Sequence, residues 1–429
     1  METKHINEQH YRQLYQAADR MLDRLWLRQT EALDFLNDAS LFLYALAKGQ
    51  PDFPGTLEHL KCRNILERIL NNHRELETLN YRFGQALQAV NEDVWHDLRE
   101  CLRLAASDRQ PEESAARLFD YLLQQMYVRE KIGNFLTPRT LADMMAQILN
   151  PEPGQIVLDP VCGSGRLLIA AAESCKDCHF IGIDLDEKIR TTAFFNMAFH
   201  GVAHGKLYGE DFLREPRKEQ GDVIMANPPY SDDIHETIHF VEKIMDALRQ
   251  GGRCGILVPE GFLTSVGNRD VVAVRQDLLC RHSLEGVISL PRKLYKPYTI
   301  SKSSLILLKK QPALPGEAVF FGRVPEYDGA ESEFSDTVYE QDMRRIAKAW
   351  KFRKQGQRTK NDKVGEEIFW RASLEEIKEK GYIFGADHYR KSDYTYKNWR
   401  WEGFRERILA GQEELERDMD HYFREDSVI

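Results

Sequence analysis

Between residues 155 and 310, short apolar runs alternate with stretches of helical periodicity. The order is QIVLD (155–159), a helix at 165–174, HFIGID (179–184), a helix at 186–199, KLYGED (206–211), DVIMAN (222–227), a helix at 235–249, CGILVP (254–259), GVISL (286–290) and SSLILLKK (303–310). Strands that alternate with helices return to one sheet by parallel crossovers, so this order predicts an α/β, doubly wound, mostly parallel sheet. The last two runs are separated by about a dozen residues that include Pro291 and Pro297, too few for a helical crossover, and are predicted to pair antiparallel.

The flanks differ in texture. Residues 1–126 carry apolar residues at helical spacing, such as Leu22, Leu25, Trp26, Leu33 and Leu36, with a loop punctuated by Pro51 and Pro54; they are predicted to form an all-helical amino-terminal domain. The sheet occupies a central domain, 127–315, and residues 316–429 form a helical carboxyl-terminal extension. Seven acidic residues and no Lys or Arg lie between Glu326 and Asp342, followed by eight basic residues and no acid between Arg344 and Lys360. Such runs are ordinarily solvated faces. The basic run, interleaved with Trp350 and Phe352, is nevertheless the best candidate for a phosphate-facing surface. The final charged amphipathic stretch suits docking on a partner.

Composition narrows the class. Hydrophobic residues at 42% and charged residues at 30% describe a water-soluble globular chain. With no membrane-spanning run and no signal-peptide pattern, the expected location is the cytoplasm. Seven cysteines, an odd number scattered along a long chain, point to reduced thiols. Cys175, Cys178 and His179 lack a second ligand pair, so no metal site is assigned. A net charge of −9 argues against a free-standing nucleic-acid binder and for binding that is local or shared with a partner.

QIVLDPVCGSGRLLIAAAE reads as strand, glycine turn and helix. Gly163 and Gly165 let the backbone turn tightly and approach a ligand, and the helix that follows offers unpaired N–H groups. Asp184, 21 residues after Gly163 at the end of the second strand, stands where folds of this type hold a ribose. Leu168 occupies the place of the third glycine in a dinucleotide fingerprint, which favours a nucleoside without a pyrophosphate, namely S-adenosyl-L-methionine. Asp159 is then expected to face its cationic methionine end, and Asp211 or Phe212 its adenine.

The fourth strand ends in Asn227, Pro228, Pro229 and Tyr230. Ligands of open α/β sheets sit at the carboxyl ends of strands, near the switch point, so these residues are expected beside the transferable methyl. Two prolines give a rigid mount, Asn227 and the Pro228 carbonyl supply two acceptors, and Tyr230 supplies a stacking floor. That set suits a planar amine: accepting both its hydrogens favours a pyramidal nitrogen whose lone pair points at the methyl.

These residues resemble the N6-adenine DNA methyltransferases, and within them the modification subunits of type I restriction-modification systems. DPVCGSG (159–165) is similar to the family's cofactor loop, NPPY (227–230) to its catalytic motif, and GNFLTPR (133–139) to its amino-terminal cofactor motif. The segments 251–263, 287–310 and 372–389 are similar to its later strands, target-base region and post-catalytic segment. The resemblance implies a class I methyltransferase fold with seven strands. It also implies cofactor contacts from Asn134, Phe135, Leu136, Thr137, Pro138, Arg139, Asp159, Pro160, Gly163, Ser164 and Gly165. The acceptor it implies is the N6 amine of an adenine flipped out of double-stranded DNA against Tyr230. Arg166 departs from the family's loop, which usually continues with another glycine. No stretch resembles a target-recognition domain, so a separate DNA-specificity subunit is expected, with a restriction subunit as a further candidate partner. Two rivals are a protein glutamine-N5 methyltransferase, whose side-chain amide presents the same kind of nitrogen, and a non-catalytic scaffold.

Overall fold

The structure is a computed structural model that describes residues 2–25, 29–49, 69–79, 81–129, 136–202, 205–214, 220–229, 233–295, 301–326, 336–352 and 369–390. Every described element of the amino-terminal region is helical: α1 (Glu2–Arg24), α2 (Gln29–Ala47), a 3-10 turn at Arg74–Leu79, α3 (Gln85–Ala89), α4 (Glu92–Ala106) and α5 (Pro111–Arg129). Leu22, Leu25, Leu33 and Leu36 are buried there, as their spacing predicts; Trp26 and the Pro51 to Pro54 loop lie outside the described residues.

The central elements follow the predicted order. They are α6 (Arg139–Leu149), β1 (Ile156–Asp159), α7 (Arg166–Ser174), β2 (His179–Ile183), α8 (Glu187–Phe199), β3 (Gly205–Tyr208), β4 (Gly221–Ala226), α9 (Ile234–Ala247), β5 (Leu248–Pro259), α10 (Glu260–Thr264), α11 (Arg269–Arg281), β6 (Ser283–Ser289) and β7 (Ser303–Lys309). Asp186, Asp233 and Asn268 cap α8, α9 and α11 by accepting first-turn N–H bonds, which fixes where each helix begins after its loop. β7 runs antiparallel to β5 and to β6, as the short connection requires.

The expected seven strands are present, and the sheet is larger by two. The described sheet has nine strands in the order β3-β2-β1-β4-β5-β7-β6-β8-β9. β8 (Ala318–Arg323) pairs parallel with β6, and β9 (Phe369–Ser373) antiparallel with β8. The expectation that everything past 315 is helical is therefore corrected, although α12 (Asp336–Phe352) and α13 (Leu374–Glu379) do lie there. For the basic run only the stacking role of Trp350 is corrected: Phe352 is 40% exposed, residues 353–360 lie outside the described residues, and Trp350 is buried, edge-on to Phe320 at 5.4 Å, and packs over Gly286. It is a core side chain and offers no stacking face to a nucleic acid.

One face of the sheet is covered by α6, α7 and α12. The other is covered by α9, α10, α11 and the segment 384–389. Helix α8 has two apolar sides. Met197 and Ala193 join the sheet core, while Ile189 and Phe195 belong to the core of the amino-terminal helices. Tyr44 of α2 meets Phe194 and Phe195 at 5.8 Å each, and Phe119 of α5 meets Phe199 at 5.1 Å.

Candidate functional site

The strand order reverses between β1 and β4, and the loops leaving these two strands open a cavity of about 600 Å³ at their carboxyl ends. Its walls include Pro160 and Gly163 from the first loop, Asp184 after β2, Asp211 and Phe212 after β3, and Asn227, Pro228 and Pro229 after β4. Residues up to 80 positions apart in the chain, Pro160 and Phe240, thus line one cavity.

The glycine loop is built as its sequence demands. Gly163 and Gly165 have φ of 52° and 79°, left-handed values that favour glycine. The loop is pinned to β2 by Cys162 N–H donating to the Ile183 carbonyl at 2.8 Å. Asp184 accepts from the N–H of Gly163 through Oδ2 and from that of Asp186 through Oδ1, each at 3.0 Å. A carboxylate has about four acceptor sites, so Asp184 retains lone pairs for two ligand hydroxyls. Burial raises its carboxyl above the usual range, against the two N–H bonds that favour the charged form.

Asp159 is 1% exposed and accepts from the Val161 N–H at 3.2 Å. Burial lifts its carboxyl to about 8, and the neighbouring charge of Asp184 adds to the shift. Asp159 is not among the cavity residues, although the two residues that follow it, Pro160 and Val161, are. Ser164 is also buried, with its carbonyl taken by Asn196.

Asn227 is half-buried. Its Nδ2 donates to the Thr137 hydroxyl at 3.1 Å, while its Oδ1 is buried with no hydrogen-bond partner among the described residues. A buried acceptor without a donor costs about 1–3 kcal/mol, which makes this oxygen the strained polar atom of the cavity. Thr137 thus connects the segment ahead of α6 to the end of β4, with Leu136 and Pro138 half-buried beside it. Arg139 is not brought to the cavity. It pairs with Glu173 at 3.4 Å, at the end of α7 opposite the glycine loop. Asn134, Phe135 and Tyr230 lie outside the described residues.

Sequence reasoning missed several wall residues. Leu185 is 70% exposed at the cavity, a large apolar side chain in solvent. Phe240 faces it from α9, with Glu236 and His239 on the same helix face at i, i+3 and i+4 spacing. The only signals were the position of Leu185 directly after Asp184 and of α9 directly after Pro229. The acidic groups Asp184, Glu210, Asp211 and Glu236 outnumber Arg214 and His239 in the lining, so the cavity suits a ligand with net positive charge.

Among the described residues no group of three or more His, Cys, Asp or Glu could hold a metal ion, and no helix is long and apolar enough to cross a membrane.

A family model described as N-6 DNA methylase matches residues 112–397. The type I restriction enzyme EcoEI methylase subunit of Escherichia coli is 24% identical over 247 residues, covering 50% of this chain and 50% of that protein. The MjaVII methylase subunit of Methanocaldococcus jannaschii is 25% identical over 312 residues, covering 63% of this chain and 54% of that one. The chain therefore spans about half the length of these relatives. Among solved structures, a chain of a type I R-M system superimposes with a TM-score of 0.66 at 20% identity over 98% of both chains.

Proposed function

The chain belongs to the N-6 DNA methylase family, and from that membership and the geometry of the cavity we propose that it transfers a methyl group from S-adenosyl-L-methionine to N6 of an adenine in DNA. Its sheet is the class I S-adenosylmethionine-dependent methyltransferase fold with two added strands. The observation that carries the proposal is the unpartnered Oδ1 of Asn227, held by Thr137 beside Pro228 and Pro229 at the switch point.

The residues present fit the cofactor. Asp184 has acceptor capacity for ribose hydroxyls, and Leu185, Phe212 and Phe240 supply apolar walls for a purine. The acidic lining matches a ligand that carries a sulfonium and an ammonium against one carboxylate. When bound, the cofactor supplies an electrophilic methyl on sulfur. The chain then has to hold an amine in line with that methyl and stabilise the positive charge that develops on nitrogen. Asn227 Oδ1 and the Pro228 carbonyl would accept hydrogen bonds from the two amine hydrogens, one of which leaves to solvent as a proton once the nitrogen is methylated; the prolines keep both acceptors fixed, so little reorganisation accompanies the reaction. An adenine reaches this position only by leaving the duplex, and Tyr230 is assigned as its stacking surface.

The net charge of −9 supports a division of labour in which a separate DNA-specificity subunit brings the duplex, with a restriction subunit as a further partner. A cytoplasmic location follows from that substrate.

Asn227→Ala is the direct test. Methyl transfer to adenine-containing DNA, assayed with any specificity partner present, is expected to fall by about 100-fold or more while cofactor affinity by calorimetry changes less than about threefold. An equal loss in both would remove Asn227 from the reacting centre.

A further inference from the structure

Arg166 is the first residue of α7, directly after Gly165, and its side chain is only 13% exposed. A cation there is doubly unfavourable. The helix amino terminus carries a partial positive charge, and Gly165 offers no side-chain cap. A mostly buried guanidinium also needs a counter-charge. The counter-charge comes from the amino-terminal helices: Asp120 of α5 lies 3.7 Å from Arg166 and 3.2 Å from Nε2 of His200, the residue that ends α8. Burial alone would raise the Asp120 carboxyl, yet the His200 hydrogen bond and the charges of His200, Arg166 and Arg139 hold it below the usual range.

The cluster reaches the glycine loop at a second point. His200 Nδ1 lies 2.9 Å from the Asn196 carbonyl, and Asn196 Nδ2 donates to the Ser164 carbonyl at 2.7 Å. Ser164 and Arg166, the two neighbours of Gly165, are both tied to groups around Asp120. Gly165 itself is pressed on Met197 of α8, whose Cγ would lie 3.1 Å from an added Cβ. The opposite side of the same loop presents Gly163 to Asp184 at the cavity.

We infer that Asp120 is a positioning residue: by holding Arg166 and His200 it fixes the glycine loop in the conformation that receives the cofactor, so cofactor affinity depends on the amino-terminal helices. The inference rests on the cofactor reading above. It also explains how a loop with arginine after its second glycine keeps that charge out of the ligand space, since Arg166 is not among the cavity residues.

Calorimetric titration with S-adenosylhomocysteine, paired with thermal melting and steady-state kinetics, separates the two readings. Failure of the unaltered chain to bind would overturn the cofactor reading and this inference with it. If it binds, Asp120→Asn is expected to weaken binding about tenfold, with kcat at saturating cofactor within about twofold and the rise confined to the cofactor KM. Asp120→Glu, which keeps the charge, should recover most of the affinity. Arg166→Gly removes one of the two contacts that Asp120 makes, so it should weaken binding no more than Asp120→Asn, and the double variant should weaken it no more than Asp120→Asn alone. Unchanged affinity in Asp120→Asn, single effects that multiply in the double variant, or loss of melting temperature and kcat at unchanged affinity would each overturn the inference.

Discussion

Asp159 closes β1 opposite Gly182 of β2, two residues from Asp184, so two carboxyl groups share one end of the sheet. Burial, and then the charge of Asp184, lifts Asp159 to about 8, whereas an unfolded chain returns it to the ordinary aspartate value of about 4. Between these values the folded chain binds the extra proton. The stabilising contribution of the neutral carboxyl is full below about pH 4 and is lost as pH rises through about 8. Asp159→Asn keeps an oxygen for the Val161 N–H and never ionises. Its stability relative to the parent is expected to be greater at about pH 8.5 than near pH 5, by on the order of 4 kcal/mol. Equal denaturation midpoints at both pH values would show that Asp159 is not held neutral. At this scale the sequence exposed Gly163, Asp184 and Asn227, because their residue types and spacing are unusual for a strand end. Leu185 and His239 carried no such mark. Their exposure to the cavity depends on the rotation of α9 and on the turn after β2, which no local pattern encodes.

Elements were legible wherever period and length agreed. The runs that became β1, β2 and β4 are buried along nearly their whole length, as parallel-sheet interiors require, and β7, antiparallel between β5 and β6, is buried as fully. β8 and β9 are masked by their flanks: the acidic run begins at Glu326, just after β8, and Glu366 and Glu367 precede β9. The buried face of α12, with Tyr339, Met343, Ile346 and Trp350 at helical spacing, was likewise hidden by the arginines and lysines between them. Of those cations, Arg344 pairs with Glu340 and Arg345 with Asp342, so they belong to the helix's own ion pairs. A test separates core from phosphate surface: Trp350→Ala should destabilise the protein by about 3–5 kcal/mol through the cavity it leaves. A stacking residue on the surface would instead lose DNA affinity with its stability intact. Retention of the parent's urea midpoint would contradict the core assignment.

At the level of the whole molecule, residues Met1–Tyr389 form one compact unit, and packing crosses the change of texture at 126 and 127. That change marks where strands begin, and it says nothing about where cores end. Asn37 of α2 accepts from Thr192 at 2.9 Å and donates to the Lys188 carbonyl at 2.9 Å, and Lys188 pairs with Asp34. With Ile189 and Phe195 in the core of the amino-terminal helices, α8 is shared between both regions. Removing the amino-terminal helices would expose two large buried side chains, at about 1.5–3 kcal/mol each, together with Phe194 and Phe199. Such a loss is comparable to the stability of an ordinary domain. A chain beginning at residue 130 is therefore expected to show no cooperative melting transition and to bind a hydrophobic dye, while residues 1–389 unfold together as one cooperative unit. Cooperative melting of the shortened chain near the parent's midpoint would make the amino-terminal helices an independent module. Because α8 directly follows Asp186 and carries the residues that brace the glycine loop, its loosening should also abolish cofactor binding, even though every cavity residue described above lies beyond position 130.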